Sequence, residues 1–155
     1  MRKFLFVALA SILLAAPQFA QTTAPAGVWV VTYTIGDTTR TFQFVAMNDG
    51  TGTFRFRTPT ATARSVFPAV WAHPGLNKTN FSSEVQLPVS TTLRETGALV
   101  FKGTRGNDGR LAGPVIFIVD NVLAATPAPF SIRTGTFTAV PLTATGGRQE
   151  LTDVR

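Results

Sequence analysis

The 155-residue chain contains no cysteine. That absence excludes disulfides, thiolate metal sites and a thiol nucleophile, and it excludes a lipid-modified leader, which needs a cysteine at the new N-terminus. Histidine is almost as scarce, with His73 alone. A metal site draws on several His, Cys or carboxylate ligands, and a hydrolytic triad needs a base beside its nucleophile. His73, next to Pro74 and Gly75, reads as a solvated loop residue. Acidic side chains are few, eight in all. Asp37, Asp49, Asp108 and Asp120 fall in or beside turns, where carboxylates cap local amides. Glu84 lies on the opposite face of its strand from Phe81 and Val85, and Glu95 follows Arg94 in an apparent loop as an exposed pair. No two carboxylates share a face at glycosidase spacing. Gly50-Thr51-Gly52 and Gly103 to Gly109 sit in hairpins rather than between a strand and a helix, so they are not phosphate loops. These gaps lead to the expectation of a non-enzymatic chain with no metal and no cofactor. The rival is a hydrolase or isomerase whose site is assembled from Asp or Arg residues.

Long apolar runs are missing too, except at the start. Arg2 and Lys3 precede an apolar stretch, Phe4 to Ala16, interrupted only by Ser11 and closed by Pro17 and Gln18. This is the layout of a signal peptide over residues 1–20, cut after Ala20 or, at Ala24-Pro25-Ala26, just before Gly27. The run is shorter than the roughly 18–20 apolar residues of a spanning helix. The expectation is a secreted or periplasmic protein with no stable membrane anchor after cleavage. Loss of Arg2 and Lys3 takes the formal charge from +6 to +4. Arg55, Arg57 and Arg64 are the nearest approach to a basic cluster, and no basic run is interleaved with aromatics, so nucleic acid is not an expected partner. Anionic cell-surface polymers stay open. Asn77-Lys78-Thr79 and Asn80-Phe81-Ser82 match the N-glycosylation pattern and read as chance in a chain whose leader looks bacterial.

What the chain does have is Thr, Val, Phe and Gly, a strand-and-turn composition, and nowhere after the leader do apolar residues recur at i, i+3, i+4, i+7 over a helical length. Gly27–Ile35 alternates, with Trp29, Val31, Tyr33 and Ile35 on one face. Gly36-Asp37 turns the chain into Thr41–Met47, where Phe42, Phe44 and Ala46 alternate. Asn48-Asp49-Gly50 is the strongest turn signal, because Asp-Gly supplies the positive φ of a tight hairpin. Thr51–Arg57 returns with Phe54 and Phe56 inward. Ser65–Trp71 is a weaker strand, since Pro68 has no amide to donate and belongs at an edge or a bulge. Asn80–Leu87 alternates again. Gly97–Gly103 pairs with Leu111–Asp120 across Gly106-Asn107-Asp108-Gly109, and Val115 to Val119 is continuously apolar, as in a strand buried on both faces. Ser131–Val140 comes last, and residues 141–155 read as a polar tail. One all-β domain over 27–140 follows, with eight strands, or seven without Ser65–Trp71. An antiparallel meander exposes two edges, and closure into an up-and-down barrel removes them. A seven-stranded immunoglobulin-like sandwich is the alternative, although it needs long crossings between sheets.

Gly27-Val28-Trp29 resembles the G-x-W opening of lipocalins and other calycins. Phe101-Lys102-Gly103 with Asp108-Gly109-Arg110-Leu111-Ala112-Gly113 resembles the hairpins of small bacterial secreted lipocalin-like domains, and Gly135-Thr136-Phe137-Thr138-Ala139 their closing strand. The resemblance implies an eight-stranded barrel plugged at one end by Trp29. The chain departs from those families in lacking their common cysteines and a long helix after the last strand.

Aromatic side chains carry the remaining lead. Trp29, Tyr33, Phe42, Phe44, Phe54, Phe56, Phe81, Phe101 and Phe137 can all face inward. An eight-stranded barrel is just wide enough to be filled by side chains or to hold one small ligand. Core packing accounts for most of these rings. The ligand reading takes a small apolar or amphipathic molecule inside the barrel, with Tyr33, Phe44, Phe56, Trp71 and His73 as candidate binding residues and Thr58–Lys78, which carries Trp71 and His73, as a lid. The competing reading is a solid barrel acting through its outer surface in an envelope or extracellular assembly.

Overall fold

A computed structural model describes residues 26–57, 64–88, 94–120 and 131–142. The expected signal peptide, the tail beyond Leu142 and three inter-strand connections, residues 58–63, 89–93 and 121–130, lie outside the described residues. Eight strands follow one another: β1 (Gly27–Ile35), β2 (Thr38–Ala46), β3 (Thr51–Arg57), β4 (Arg64–Gly75), β5 (Lys78–Pro88), β6 (Arg94–Arg105), β7 (Leu111–Asp120) and β8 (Ser131–Pro141). Each pairs antiparallel with the next, and β8 pairs with β1 from Trp29↔Pro141 to Ile35↔Gly135, which closes the barrel. Pairing of the first and last strands excludes the sandwich.

Period-two alternation explains why the barrel closes with one face inward. Trp29, Val31 and Tyr33 of β1, Phe42 and Phe44 of β2, Phe54 and Phe56 of β3, Phe81 and Val85 of β5, Leu99 and Phe101 of β6, Val115, Phe117 and Val119 of β7 and Phe137 of β8 are all buried. At the centre Phe81 lies between Phe44 and Phe101, each pair 4.7 Å apart and 11° from parallel. Phe54, Tyr33 and Phe137 meet this stack edge-on, at 5.1–5.8 Å. Offset and edge-to-face contacts suit the ring quadrupoles and add to burial, which by itself is worth about 1.5–3 kcal/mol for each phenylalanine. Gly52 makes room in this crowd. The Phe44 ring lies over it where a Cβ would come within 2.8 Å of Cε2, so the glycine lets β3 coil tightly past β2.

The tight turns follow their signals. Gly50 takes φ +86°, and the Asp49 carboxylate accepts hydrogen bonds from the Thr51 amide (2.9 Å) and hydroxyl (2.6 Å). The Thr51 hydroxyl, then its amide, holds the exposed Asp49 carboxyl below its ordinary pKa. Asp108 accepts from the Arg110 amide at 3.1 Å in the same way.

Four expectations are corrected. β4 runs through Pro68 and on to Gly75, so the described part of the expected lid, residues 64–78, is barrel strand and turn: Trp71 and His73 sit on a barrel strand, and residues 58–63 lie outside the described residues. β4 tolerates Pro68 because its ladder to β5 only begins at Ala69↔Ser83, and the Ser83 hydroxyl donates to the Pro68 carbonyl at 2.7 Å instead. Pro74 lies where the β4–β5 register shifts between Ala72 and Gly75. β7 is not buried on both faces, since Ile118 points outward and is 36 % exposed. Glu95 belongs to β6 rather than a loop, and its partner is Arg133, not Arg94.

Candidate functional site

The two ends of the barrel differ. The chain enters at the end that carries the turns 47–50, 76–77 and 106–110. Here Trp29 is buried and the Arg105 guanidinium lies 5.4 Å from its ring centroid, a cation–π contact. Trp71 pins the β2–β3 turn: its Nε1–H donates to the Met47 and Thr51 carbonyls at 2.9 and 3.0 Å, and its amide donates to the Gly50 carbonyl at 2.8 Å. His73, half-buried beside Trp71, has Nδ1 2.9 Å from the Lys78 carbonyl and 3.1 Å from the Thr79 hydroxyl. A carbonyl only accepts, so Nδ1 carries the proton, and the buried Nε2 is left without a partner among the described residues. The solvated histidine expected from the sequence is therefore a wall residue of the closed end.

At the opposite end β1, β2, β5, β6, β7 and β8 surround a mouth cavity of about 170 Å³ lined by Tyr33, Ile35, Thr38, Arg40, Leu87, Glu95, Phe117 and Arg133. Strand parity puts these side chains there. Arg40 shares its face with Phe42 and Phe44, Glu95 with Leu99 and Phe101, and Arg133 with Phe137. Near its end each of these three strands swaps an inward apolar residue for a charged one. Arg40 donates from Nη2 to the Pro88 carbonyl at 2.6 Å, which ties β2 to the end of β5. Arg133 and Glu95 form a two-pronged bridge at 2.7 and 2.9 Å. Glu95 therefore answers one arginine, and Arg40 meets no carboxylate among the described residues.

Tyr33 connects this rim to the core. Its ring packs edge-on to Phe42 and Phe101, and its buried hydroxyl has no hydrogen-bond partner among the described residues. An unanswered buried hydroxyl costs about 1–3 kcal/mol. Burial pushes its pKa up to about 12, against a smaller downward pull from Arg40, so the phenol is a neutral donor throughout the physiological range.

The five candidate ligand residues are not brought together. Tyr33 alone lines the mouth. Phe44 is consumed in the central stack, Phe56 lies against Phe42 at 4.7 Å and Phe67 at 6.0 Å, and Trp71 and His73 belong to the other end. Arg40, Glu95 and Arg133 are not among the site residues expected from the sequence: Glu95 reads as loop, Arg40 falls just before the strand Thr41–Met47, and Arg133 lies inside Ser131–Val140 with its face unassigned. The signal available was parity, a charged side chain in phase with the apolar face of its own strand.

Outside the barrel a shallow groove of about 460 Å³ runs over Pro68, Val70, Ser82, Glu84, Ala98 and Val100, beside the stretch where β4 and β5 are not paired. No group of three or more His, Asp or Glu among the described residues could hold a metal ion. No protein-family model matches the chain, and no curated protein matches it.

Proposed function

We propose that the chain is an exported, non-enzymatic binding domain of lipocalin-like type that takes a small amphipathic molecule at its mouth. The observation that carries this reading is the Tyr33 hydroxyl, without a partner among the described residues, set among apolar Ile35, Leu87 and Phe117 at a rim bearing Arg40 and Arg133. Ligand sites are concave and mostly apolar, with a few polar groups fixing orientation. The stacked phenyl rings fill the barrel centre, so the ligand sits at the mouth and not deep inside, and it is small: the cavity is well under the roughly 300 Å³ at which drug-sized sites begin. The lipocalin-like assignment draws support from the up-and-down order of the strands and from the burial of Trp29 at the end where the chain enters. Export to a secreted or periplasmic destination rests on the leader-like residues 1–20.

Native mass spectrometry of protein purified from its own host, followed by solvent extraction, tests the reading. A co-purified small molecule whose removal and return shift the Tyr33 and Arg40 NMR signals is the expected result. A bare mass, with no mouth signals moved by a library of small amphipathic compounds, would overturn it.

The outer-surface reading has its own support in the groove beside the unpaired stretch of β4 and β5, where Val70 is 59 % exposed. A protein partner whose binding protects Val70 and Val100 from hydrogen exchange, with the mouth unaffected, would favour it.

A further inference from the structure

The mouth has a sign. Among the described residues Arg40 and Arg133 face one carboxylate, Glu95, so one cationic charge is left over. That surplus sits on Arg40, because both terminal nitrogens of Arg133 are already engaged by Glu95. Arg40 has given one N–H to the Pro88 carbonyl. This bond holds the guanidinium in place and leaves other donors of its planar fork for a guest. The Tyr33 hydroxyl adds a neutral donor from the wall. These groups are donors of positive or neutral character, and Ile35, Leu87 and Phe117 offer apolar surface beside them.

We propose that the mouth is a site for a small monoanion with an apolar body, a short alkyl or aryl carboxylate, its head group held by Arg40 with the Tyr33 hydroxyl as second donor. The proposal rests on the mouth-binding reading and narrows its ligand class. A planar guanidinium matches a carboxylate in geometry as well as charge. A cation meets the surplus arginine and is refused. A neutral isostere forfeits the charge-assisted bond while still burying its ring. Glu95 disfavours a dianion, which would bring a second negative charge against its carboxylate. The Glu95–Arg133 bridge thus acts as a counterweight, limiting the mouth to a single charge.

One ring with three head groups tests this: benzoate, benzamide and benzylammonium, titrated at neutral pH into the full-length chain and followed by NMR of backbone amides and arginine side chains. Benzoate should move the signals of Tyr33, Arg40 and Leu87, bind at least about tenfold more tightly than benzamide, and leave benzylammonium without measurable binding. Arg40→Gln should bring benzoate down to the level of benzamide, and Tyr33→Phe should weaken benzoate by several-fold with the fold intact. Benzamide binding at the mouth as tightly as benzoate would overturn the anion inference and leave the small-ligand reading standing. No movement at the mouth with any of the three, or benzoate shifts confined to other surfaces, would overturn the anion inference, and the native mass with the compound library then decides the small-ligand reading.

Discussion

The end where the chain enters and the end where the arginines stand are made from the same eight strands, yet they are finished differently. At the first, most polar atoms are spent on the protein itself, the buried His73 Nε2 being the exception among the described residues. The Trp71 indole bonds two carbonyls, His73 bonds its neighbours across the turn, and Arg105 covers Trp29. At the second, the Tyr33 hydroxyl has no partner and Arg40 no carboxylate among the described residues. The turns at the first end span two to five residues; two of the four connections at the second, through residues 58–63 and 121–130, are longer. The first end leaves an acceptor, His73 Nε2, unmet, and the second leaves donors unmet, the Tyr33 hydroxyl and the free N–H groups of Arg40. Function concentrates where a rigid scaffold carries longer connections.

The largest expected effect is at the closed end. Trp29→Ala removes a buried ring and the surface beneath Arg105, and should cost about 3–5 kcal/mol in urea unfolding. A loss comparable to that of an exposed substitution would mean that Trp29 does not hold this end together, and the contrast between the ends would collapse.

Next comes an alkaline effect that belongs to the open end. Tyr33 holds its proton up to about pH 12 in the folded state and to 10 when unfolded. The folded state therefore binds the proton more tightly, and its full stability is present below pH 10. Stability falls as the pH rises from 10 to 12, by up to about 2–3 kcal/mol. Tyr33→Phe should abolish this loss and, by deleting an unanswered buried hydroxyl, raise stability near neutral pH by about 1 kcal/mol. Urea midpoints across pH 8 to 12 for both proteins check the sign. An identical alkaline decline in the Phe variant would assign it elsewhere.

Much of the barrel was legible because period two is a local signal. β1, β3 and β7 start and stop at Gly27–Ile35, Thr51–Arg57 and Leu111–Asp120, as the alternation and the turn residues indicate. β4 was truncated because Pro68 and Pro74 read as breakers. Their tolerance depends on two non-local facts, the late start of pairing with β5 and the register shift near the turn. The mouth was less legible. Tyr33 stood out as the only tyrosine, on an apolar face, but Arg40 directly precedes the strand expected from Thr41 and falls outside it. The Glu95–Arg133 bridge joins residues 38 positions apart, a pairing that only the closure of the barrel brings about. His73 was misread for a related reason, since its neighbours Pro74 and Gly75 suggest a loop while the strand continues through them.

Gly97 shows that the open end is permissive only at its rim. A Cβ there would collide with the Ile118 carbonyl and come within 2.9 Å of the Phe117 ring edge. Backbone cannot yield as a side chain does, so Gly97→Ala should cost about 1–3 kcal/mol, read as a lower urea midpoint at unchanged slope. A neutral outcome would show that the wall below the mouth gives way, and that the open end is soft throughout.

The smallest effect should come from the rim bridge. Glu95→Gln keeps the shape and removes the charge that answers Arg133. The guanidinium remains 48 % exposed and the carboxylate 22 %, so water already screens much of the attraction, and exposed pairs are worth about 0–1 kcal/mol. The two-pronged geometry places this one toward the upper part of that range. A double-mutant cycle with Arg133→Gln isolates the coupling from the side effects of either substitution. A coupling near or below 1 kcal/mol, together with tighter benzoate binding in Glu95→Gln, fits a rim that governs charge at the mouth rather than holding the barrel shut. A coupling of several kcal/mol would place the bridge among the elements that close the fold, and the open end would then be finished for stability as thoroughly as the other.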